Sequence, residues 1–474
     1  MTSTKRTSVS YASFYILILI VAASLFAQAQ SPAAQISLPD AVDQGVAGFE
    51  RIRAKQHYYQ ASVALSRNTR NEYLPNVIAS AQQAYGTVNG QFGPAGAIGV
   101  LGLSSAGPPF GTESWNAAFG ALYILNTNWE VFSFGRLKSR IALADAQVRQ
   151  DSADLLQEQF QHRVRVASAY LNLLVAQRFV RNAQSNLDRA EAVRQNVRAR
   201  VLSGLNPGVD SSLANADASR ARIALVDMQN NVLQGSQDLA VMLNVVATQF
   251  ALDTTFLDKI PVEFETTAEI SDNPQSRFYA ARISQAQHAA IVARRSMLPG
   301  LTLFGIYQAR ASGFQYNYTP QFPERYSQSY LEGINPSRHN YVAGFSIFWN
   351  LLSPLRVKQQ ARAQEFVAEG FRNEYNLVNT QLQNQVLVSD QRIANSLRSA
   401  REVPQQFQAA SDAYLQKSVL YKNGLTNLPD LQLAMYALNR AELDRSVAFI
   451  NVWQALLLKA AATGDFDLFI NQAQ

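Results

Sequence analysis

The feature that most constrains this 474-residue chain is that it contains a second, diverged copy of itself. The block from Ser203, SGLNPGVDSSLANADASRAR, and the block from Asn423, NGLTNLPDLQLAMYALNRAE, align at a constant offset, 424 − 204 = 220. Seven positions are identical: Gly204/Gly424, Leu205/Leu425, Asp210/Asp430, Leu213/Leu433, Ala214/Ala434, Arg220/Arg440 and Ala221/Ala441. A second echo sets Tyr73-Leu74-Pro75-Asn76-Val77 against Met297-Leu298-Pro299-Gly300-Leu301, at 297 − 73 = 224. Two echoes at nearly one spacing indicate an internal duplication, so both halves fold alike. The halves fall at 30–265 and 266–463, after a leader at 1–29 and before a C-terminal tail at 464–474.

Each half repeats one series of elements. A helix comes first, over 38–73 and again from Ser276 to Met297, with Asp40 and Asp272 or Ser276 as N-caps. Each ends at a Leu-Pro pair, which favours extended geometry. Two strands then flank a loop: about 77–85 and 117–129 in the first half, about 301–309 and 341–350 in the second. Tyr341, Ala343, Phe345, Ile347 and Trp349 alternate with smaller or more polar residues, and Phe119, Ala121, Tyr123 and Leu125 share one face in the first half. Such period-2 patterns with aromatic ends suit transmembrane barrel strands. The loops, 86–113 and 312–338, are long and aromatic, and the second is expected at the surface.

A very long helix follows. Residues 137–203 contain neither Gly nor Pro, and Leu156, Phe160, Val164, Ala167, Leu171 and Leu174 line one face at coiled-coil spacing. At 1.5 Å per residue this predicts a rod of about 100 Å. Its counterpart is 356–422, where Pro404 predicts a kink or a break. The glycine blocks are tight turns, and the chain returns as helices over 211–243 and 431–462. Residues 247–273 form a small side element.

Composition narrows the class. The net charge is +6 with no dense Lys/Arg run, so the chain has no nucleic-acid signature. Cysteine is absent, which excludes disulfides and thiolate chemistry. His57, His162, His288 and His339 are scattered, with His162 expected in solvent, and no metal, cofactor or catalytic motif occurs. The leader has Lys5 and Arg6, an apolar stretch from Phe14 to Ala27, and the cleavage pattern Ala27-Gln28-Ala29. No later run of 18 apolar residues is found, so membrane contact beyond the leader requires a barrel or a surface helix.

Helix, Leu-Pro, strand, loop, strand, very long helix, Gly-Leu turn and return helix, all twice behind a secretory leader, resembles the TolC-type outer-membrane factor (outer membrane efflux protein) family. The strand exits Phe132-Ser133-Phe134-Gly135-Arg136 and Phe348-Trp349-Asn350-Leu351-Leu352 complete the match. The resemblance implies a mainly α fold with a small β-barrel part: a homotrimer whose 12-stranded outer-membrane barrel continues into a periplasmic α-helical barrel. It implies a passive exit duct, not an enzyme, in the outer membrane of a Gram-negative bacterium. The duct would serve tripartite efflux or type I secretion, with a periplasmic adaptor (membrane fusion) protein, an inner-membrane RND or ABC-type transporter and outer-membrane lipid as partners. A second reading, an exported periplasmic coiled-coil adaptor or scaffold without a barrel, explains the leader and the helices but not the duplicated strands.

The resemblance carries roles to the turn blocks. Ser203, Gly204, Leu205 and Asn423, Gly424, Leu425, Thr426 become adaptor-docking turns, and Asp210 and Asp430 acids of the periplasmic aperture. The same residues also have a plain structural reading. The glycines serve as left-handed helix terminators, and the aspartates as N-caps. Asp430 is followed by Leu431, Gln432 and Leu433, without the second acid some relatives carry one turn on.

Overall fold

Proline stops each opening helix and hands the chain to a strand. The structure is a computed structural model that describes residues 35–90 and 111–473 apart from 248, 266 and 320. The leader at 1–29 and most of the first loop, including Gly107-Pro108-Pro109, lie outside the described residues. Helix α1 (Leu38–Gly48) is followed by α2 (Glu50–Asn71), β1 (Asn76–Thr87), β2 (Ala117–Phe132), α3 (Arg136–Leu202) and α4 (Gly208–Leu243). The second repeat runs α5 (Pro274–Arg295), β3 (Gly300–Ser312), α6 (Tyr330–Ile334), β4 (Arg338–Phe348), α7 (Ser353–Lys422) and α8 (Leu428–Thr463), with α9 (Asp467–Ile470) last.

Two compact units arise from this chain, one holding the strands (Gln60–Arg149 and Arg282–Gly370) and one wholly helical. In the first, the strands form one antiparallel sheet in the order β1-β2-β3-β4, with the β2–β3 pairing joining the repeats. Each repeat clamps its second strand to its own Leu-Pro junction. The Trp129 indole donates to Tyr73 O (2.8 Å), and the Trp349 indole to Met297 O (3.0 Å). The two donors stand 220 residues apart and the two acceptors 224, the offsets of the sequence echoes.

Alternation along paired strands sorts the side chains onto two faces. One carries Val77, Ala79 and Tyr85 of β1, Phe119, Tyr123, Leu125 and Trp129 of β2, Leu303 and Tyr307 of β3, and Tyr341, Phe345 and Ile347 of β4. The other carries Ser80 and Gln82, then Asn126, Asn128 and Glu130, then Thr302, Gln308 and Arg310, then Arg338, Asn340 and Ser346, interspersed with Ile78, Leu122, Ile124, Phe304, Ile306 and Val342. The apolar face is solvent-exposed for long stretches, with Tyr341 at 83% and Phe345 at 71%. Both edge strands lack a further partner among the described residues, and every residue of β1 is exposed. The second loop is mostly exposed, as expected, with Tyr316 at 92%, but Tyr318 within it is buried because Phe314 and Tyr326 enclose it and its hydroxyl bonds Ser114 Oγ at 2.8 Å.

The helical unit has a dry core of Val166, Tyr170, Leu171 and Leu174 of α3, Leu239 and Leu243 of α4, and Trp453 and Leu456 of α8. Residues between the repeats join it: Leu252 and Phe256 are buried, Phe256 edge-on to Trp453 at 5.0 Å. The Tyr170 hydroxyl donates to Ile36 O (2.9 Å) and Asp253 O (3.1 Å), pinning the first described residues to this side element. The tail is also packed in, with Phe469 fully buried. Helix α8 is long and apolar enough to cross a membrane, which the sequence reading did not register, but most of that apolar window lies inside this core.

Several local expectations change. The single opening helix breaks at Phe49, whose extended backbone separates α1 from α2. Ser37, not Asp40, caps α1, accepting from Asp40 N, and Asn273 rather than Asp272 or Ser276 accepts Gln275 N ahead of α5. Pro404 does not break α7, which runs 70 residues with buried Ala400 and Val403 holding the turns beside it. His162 is fully buried rather than solvated, because the α1–α2 break packs over it. Its ring stacks on Phe49 at 3.9 Å, and Nε2 donates to Met242 O at 3.0 Å.

Burial, and then the charge of Arg165, hold the His162 imidazole below its usual range. The folded protein therefore resists a proton that the unfolded chain accepts, so stability is full above about pH 6.5 and falls as pH drops below it. His162→Gln is expected to flatten this acid-side loss, which approaches about 1.4 kcal/mol per pH unit at its steepest. Denaturant unfolding at pH 7.5 and 5 measures it, and an unchanged difference between the two pH values would count against the assignment.

Candidate docking turns and aperture

Both turn blocks close their helices by one backbone device. At the end of α3, Gly204 N donates to Val201 O (3.0 Å) and Leu205 N to Arg200 O (2.9 Å). At the end of α7, Gly424 N donates to Tyr421 O (3.1 Å) and Leu425 N to Leu420 O (2.9 Å). These paired bonds are the Schellman arrangement, which needs a left-handed residue at the glycine. Gly204 has φ +72° and Gly424 φ +75°. Ser203 and Asn423 precede them and return their side chains to the helix, Ser203 Oγ to Ala199 O and Asn423 Nδ2 to Val419 O, each at 2.9 Å. Leu205 and Leu425 are left 69% and 72% exposed at the two tips. Two apolar side chains presented on tight, internally satisfied turns make a surface suited to packing rather than to chemistry.

The aspartates occupy the first turn of their helices, not the cap. Asn427 caps α8, its side chain accepting Asp430 N at 2.9 Å, and Pro207 precedes α4 without a side-chain cap. The N-cap reading is thus corrected: an aspartate inside the first turn uses its carboxylate for other partners. Asp430 accepts Lys417 Nζ (2.9 Å) and Thr426 Oγ1 (3.0 Å). The Lys417 hydrogen bond first, then that of Thr426, hold its carboxyl below the ordinary range. Asp210 accepts Asn206 Nδ2 at 2.7 Å, and Asn206 Oδ1 in turn accepts Arg200 Nε at 2.8 Å.

The two hairpins are tied together. Arg200 reaches the exposed carbonyl end of α7, donating to Lys422 O at 3.2 Å and lying 5.4 Å over the Tyr421 ring. Tyr421 is buried with Val197, Ala214, Leu428 and Leu431, and burial pushes its phenol up. Further along the return helices, Asp217 accepts from Gln432 and from Tyr436 Oη (2.5 Å), which itself accepts Arg220 Nη1 at 2.9 Å. Arg189 and Glu442 add a bidentate pair at 2.9 and 2.7 Å. Sequence reasoning missed Arg200, Lys417 and Asp217, and their repeat mates explain why. At an offset of 220 these are Leu420, Val197 and Ala437, so a search for repeated residues passes over all three, although Arg200 and Asp217 join one repeat to the other and Lys417 pairs within the second.

Residues 41–245, essentially the first repeat, match the protein family described as Outer membrane efflux protein. Among solved structures, the outer-membrane channel OprN is similar at a TM-score of 0.71 and 19% identity, with 90% of each chain covered. The outer membrane protein VceC from Vibrio cholerae is similar at 0.70 and 15%, over 90% of this chain and 96% of that one. The MtrE outer membrane channel of Neisseria gonorrhoeae is similar at 0.70 and 17%, over 90% and 89%. At these identities the structural likeness speaks for the fold. No curated protein matches the chain.

Gly204→Ala and Gly424→Ala are each expected to cost about 1–2 kcal/mol locally, from the left-handed backbone alone. Nothing crowds a Cβ at Gly204, and only Arg200 approaches one at Gly424, at 3.4 Å. Gly208→Ala, with open space and no positive φ, serves as the neutral control. Amide exchange at Leu205 and Leu425 reads the effect, and protection unchanged in both tip variants would contradict it.

Proposed function

We propose that this chain, which over residues 41–245 is a member of the outer membrane efflux protein family, is the passive exit duct of a tripartite efflux or type I secretion system. The observation that carries the reading is the four-stranded sheet, with one largely aromatic and apolar face, one face that holds most of its polar residues, and two edges unpartnered among the described residues. Hydrocarbon solvates neither an open edge nor a polar face. Three copies joined β4 to β1 would leave no edge, turn the aromatic face to lipid and enclose the polar face around a 12-stranded lumen. From Tyr123 to Phe132, ten residues tilted at about 45° would span roughly 25 Å, the height of a barrel's apolar band. The long helices would continue the duct through the periplasm.

The exposed Leu205 and Leu425 support tip docking to a periplasmic adaptor, which would link the duct to an RND or ABC-type inner-membrane transporter. Energy and cargo choice at entry would belong to that pump. The ion pair with Lys417 supports a latch role for Asp430, in which the aperture is held within one chain. Asp210 would act through Asn206 and Arg200. A soluble scaffold is the second reading, but it gives no reason for an exposed aromatic sheet face.

Outer-membrane fractionation with heat-modifiable trimers, followed by planar-bilayer conductance, tests the proposal. The expected result is a trimeric species that forms channels, with Asp430→Ala raising conductance. A monomer in the soluble periplasmic fraction would overturn the duct. Identical conductance in wild type, Asp430→Ala and Asp210→Ala would remove the latch alone.

A further inference from the structure

The polar face of the sheet carries one charge feature that the turns and the aperture do not explain. Arg310 and Arg338 are directly opposed across β3 and β4, and with Gln82 and Leu122 they form one row over all four strands. The row lies near the loop end of the sheet: Arg338 begins β4, and Arg310 is two residues from the end of β3. Both arginines are exposed, and neither makes an ion pair or hydrogen bond through its guanidinium among the described residues. Like charges placed opposite one another destabilise a sheet, so such a pair is costly unless an anion shares the site.

No acid on this face offsets them. The strands hold one acid, Glu130, at the other end of the sheet and ion-paired with Arg136. Of the loop acids, Glu324 pairs with Arg325, and Glu113 lies outside the strands. Glu332 belongs to α6, which packs on the opposite, apolar face: Tyr123 Oη donates to Ile334 O (3.2 Å), and Tyr330 Oη to Gln83 Oε1 (2.7 Å). Residues 91–110 contain no ionisable side chain.

We infer that Arg310 and Arg338 form a basic collar at the outer end of the lumen, which makes the duct prefer anionic solutes. The inference rests on the trimeric duct proposed above: three chains would set six guanidinium groups around one opening, within a wall that focuses their field. At the tip Asp430 and Asp210 already have basic partners, Asp430 directly in Lys417 and Asp210 through Asn206 in Arg200, whereas no acid on the polar face of the strands stands beside Arg310 and Arg338. Its reach follows the Debye length, about 10 Å in 0.1 M salt and about 3 Å at 1 M. The solutes favoured are those bearing carboxylate, phosphate or sulfate groups.

The test is the reversal potential of the full trimeric channel in a planar bilayer under a potassium chloride gradient near 0.1 M. Wild type is expected to favour chloride, with the preference shrinking at 1 M. R310Q/R338Q is expected to lose it, and R310K/R338K, which keeps the charge, to retain it. Heat-modifiable trimers confirm assembly of each variant. A conducting wild-type channel that is non-selective or cation-selective overturns the collar and leaves the duct standing, as does a chloride preference that persists in R310Q/R338Q. Absence of any conductance from wild type overturns the duct and the collar together.

Discussion

Backbone hydrogen bonding at the edges of a sheet is the constraint on which the rest of this molecule depends. β1 and β4 each present a row of N–H and C=O groups without a partner among the described residues, and the face between them is too apolar to be left in water. In a soluble protein such edges invite aggregation; in lipid they are not tolerated. A single repeat contributes two strands, and duplication doubles that to four, still too few to close a barrel small enough to be filled or wide enough to conduct. Assembly of several chains would satisfy the edges, and the trimer proposed above is one such assembly.

Duplication also explains where the molecule is symmetric and where it is not. The devices that build each repeat recur: the Leu-Pro stop, the tryptophan clamp of Trp129 and Trp349, and the Schellman turns at Gly204 and Gly424. The groups that join the repeats do not recur, since a residue reaching across cannot be matched by the same residue reaching back into the same space. Arg200 spans from one tip to the carbonyl end of the other, while its counterpart Leu420 is a plain helix residue. The charge row of Arg310 and Arg338 likewise belongs to the second repeat alone; the first repeat's strands place Gln82 and Leu122 there.

Much of the architecture was legible because it rests on periodic or repeated signals. Glycine- and proline-free length marked α3, the repeat carried that expectation to α7 despite Gly370 and Pro404, and alternation marked the faces of β2 and β4. What escaped depended on contacts between segments distant in sequence. His162 reads as a polar residue between Gln161 and Arg163, and only the packing of Phe49 and Met242 around it makes it a core residue. Asp430 reads as a cap because it follows a turn, yet Asn427 takes that position and frees the carboxylate for Lys417. Pro404 reads as a kink or a break, but α7 runs unbroken through it for 70 residues, with Ala400 and Val403 buried in the turn before it.

The central claim is that the edges close between chains, and cysteine cross-linking tests it most directly, since the chain has no cysteine of its own. Ala79→Cys on β1 would be combined with single cysteines scanned along β4 from Tyr341 to Ile347, in membranes, under mild oxidation. β1 and β4 lie at opposite edges of the sheet, so a bond between them joins two chains. The account predicts that at one register the protein runs on denaturing gels as dimer and trimer, with nothing larger. A ladder extending beyond the trimer, or monomer alone at every register, would contradict it.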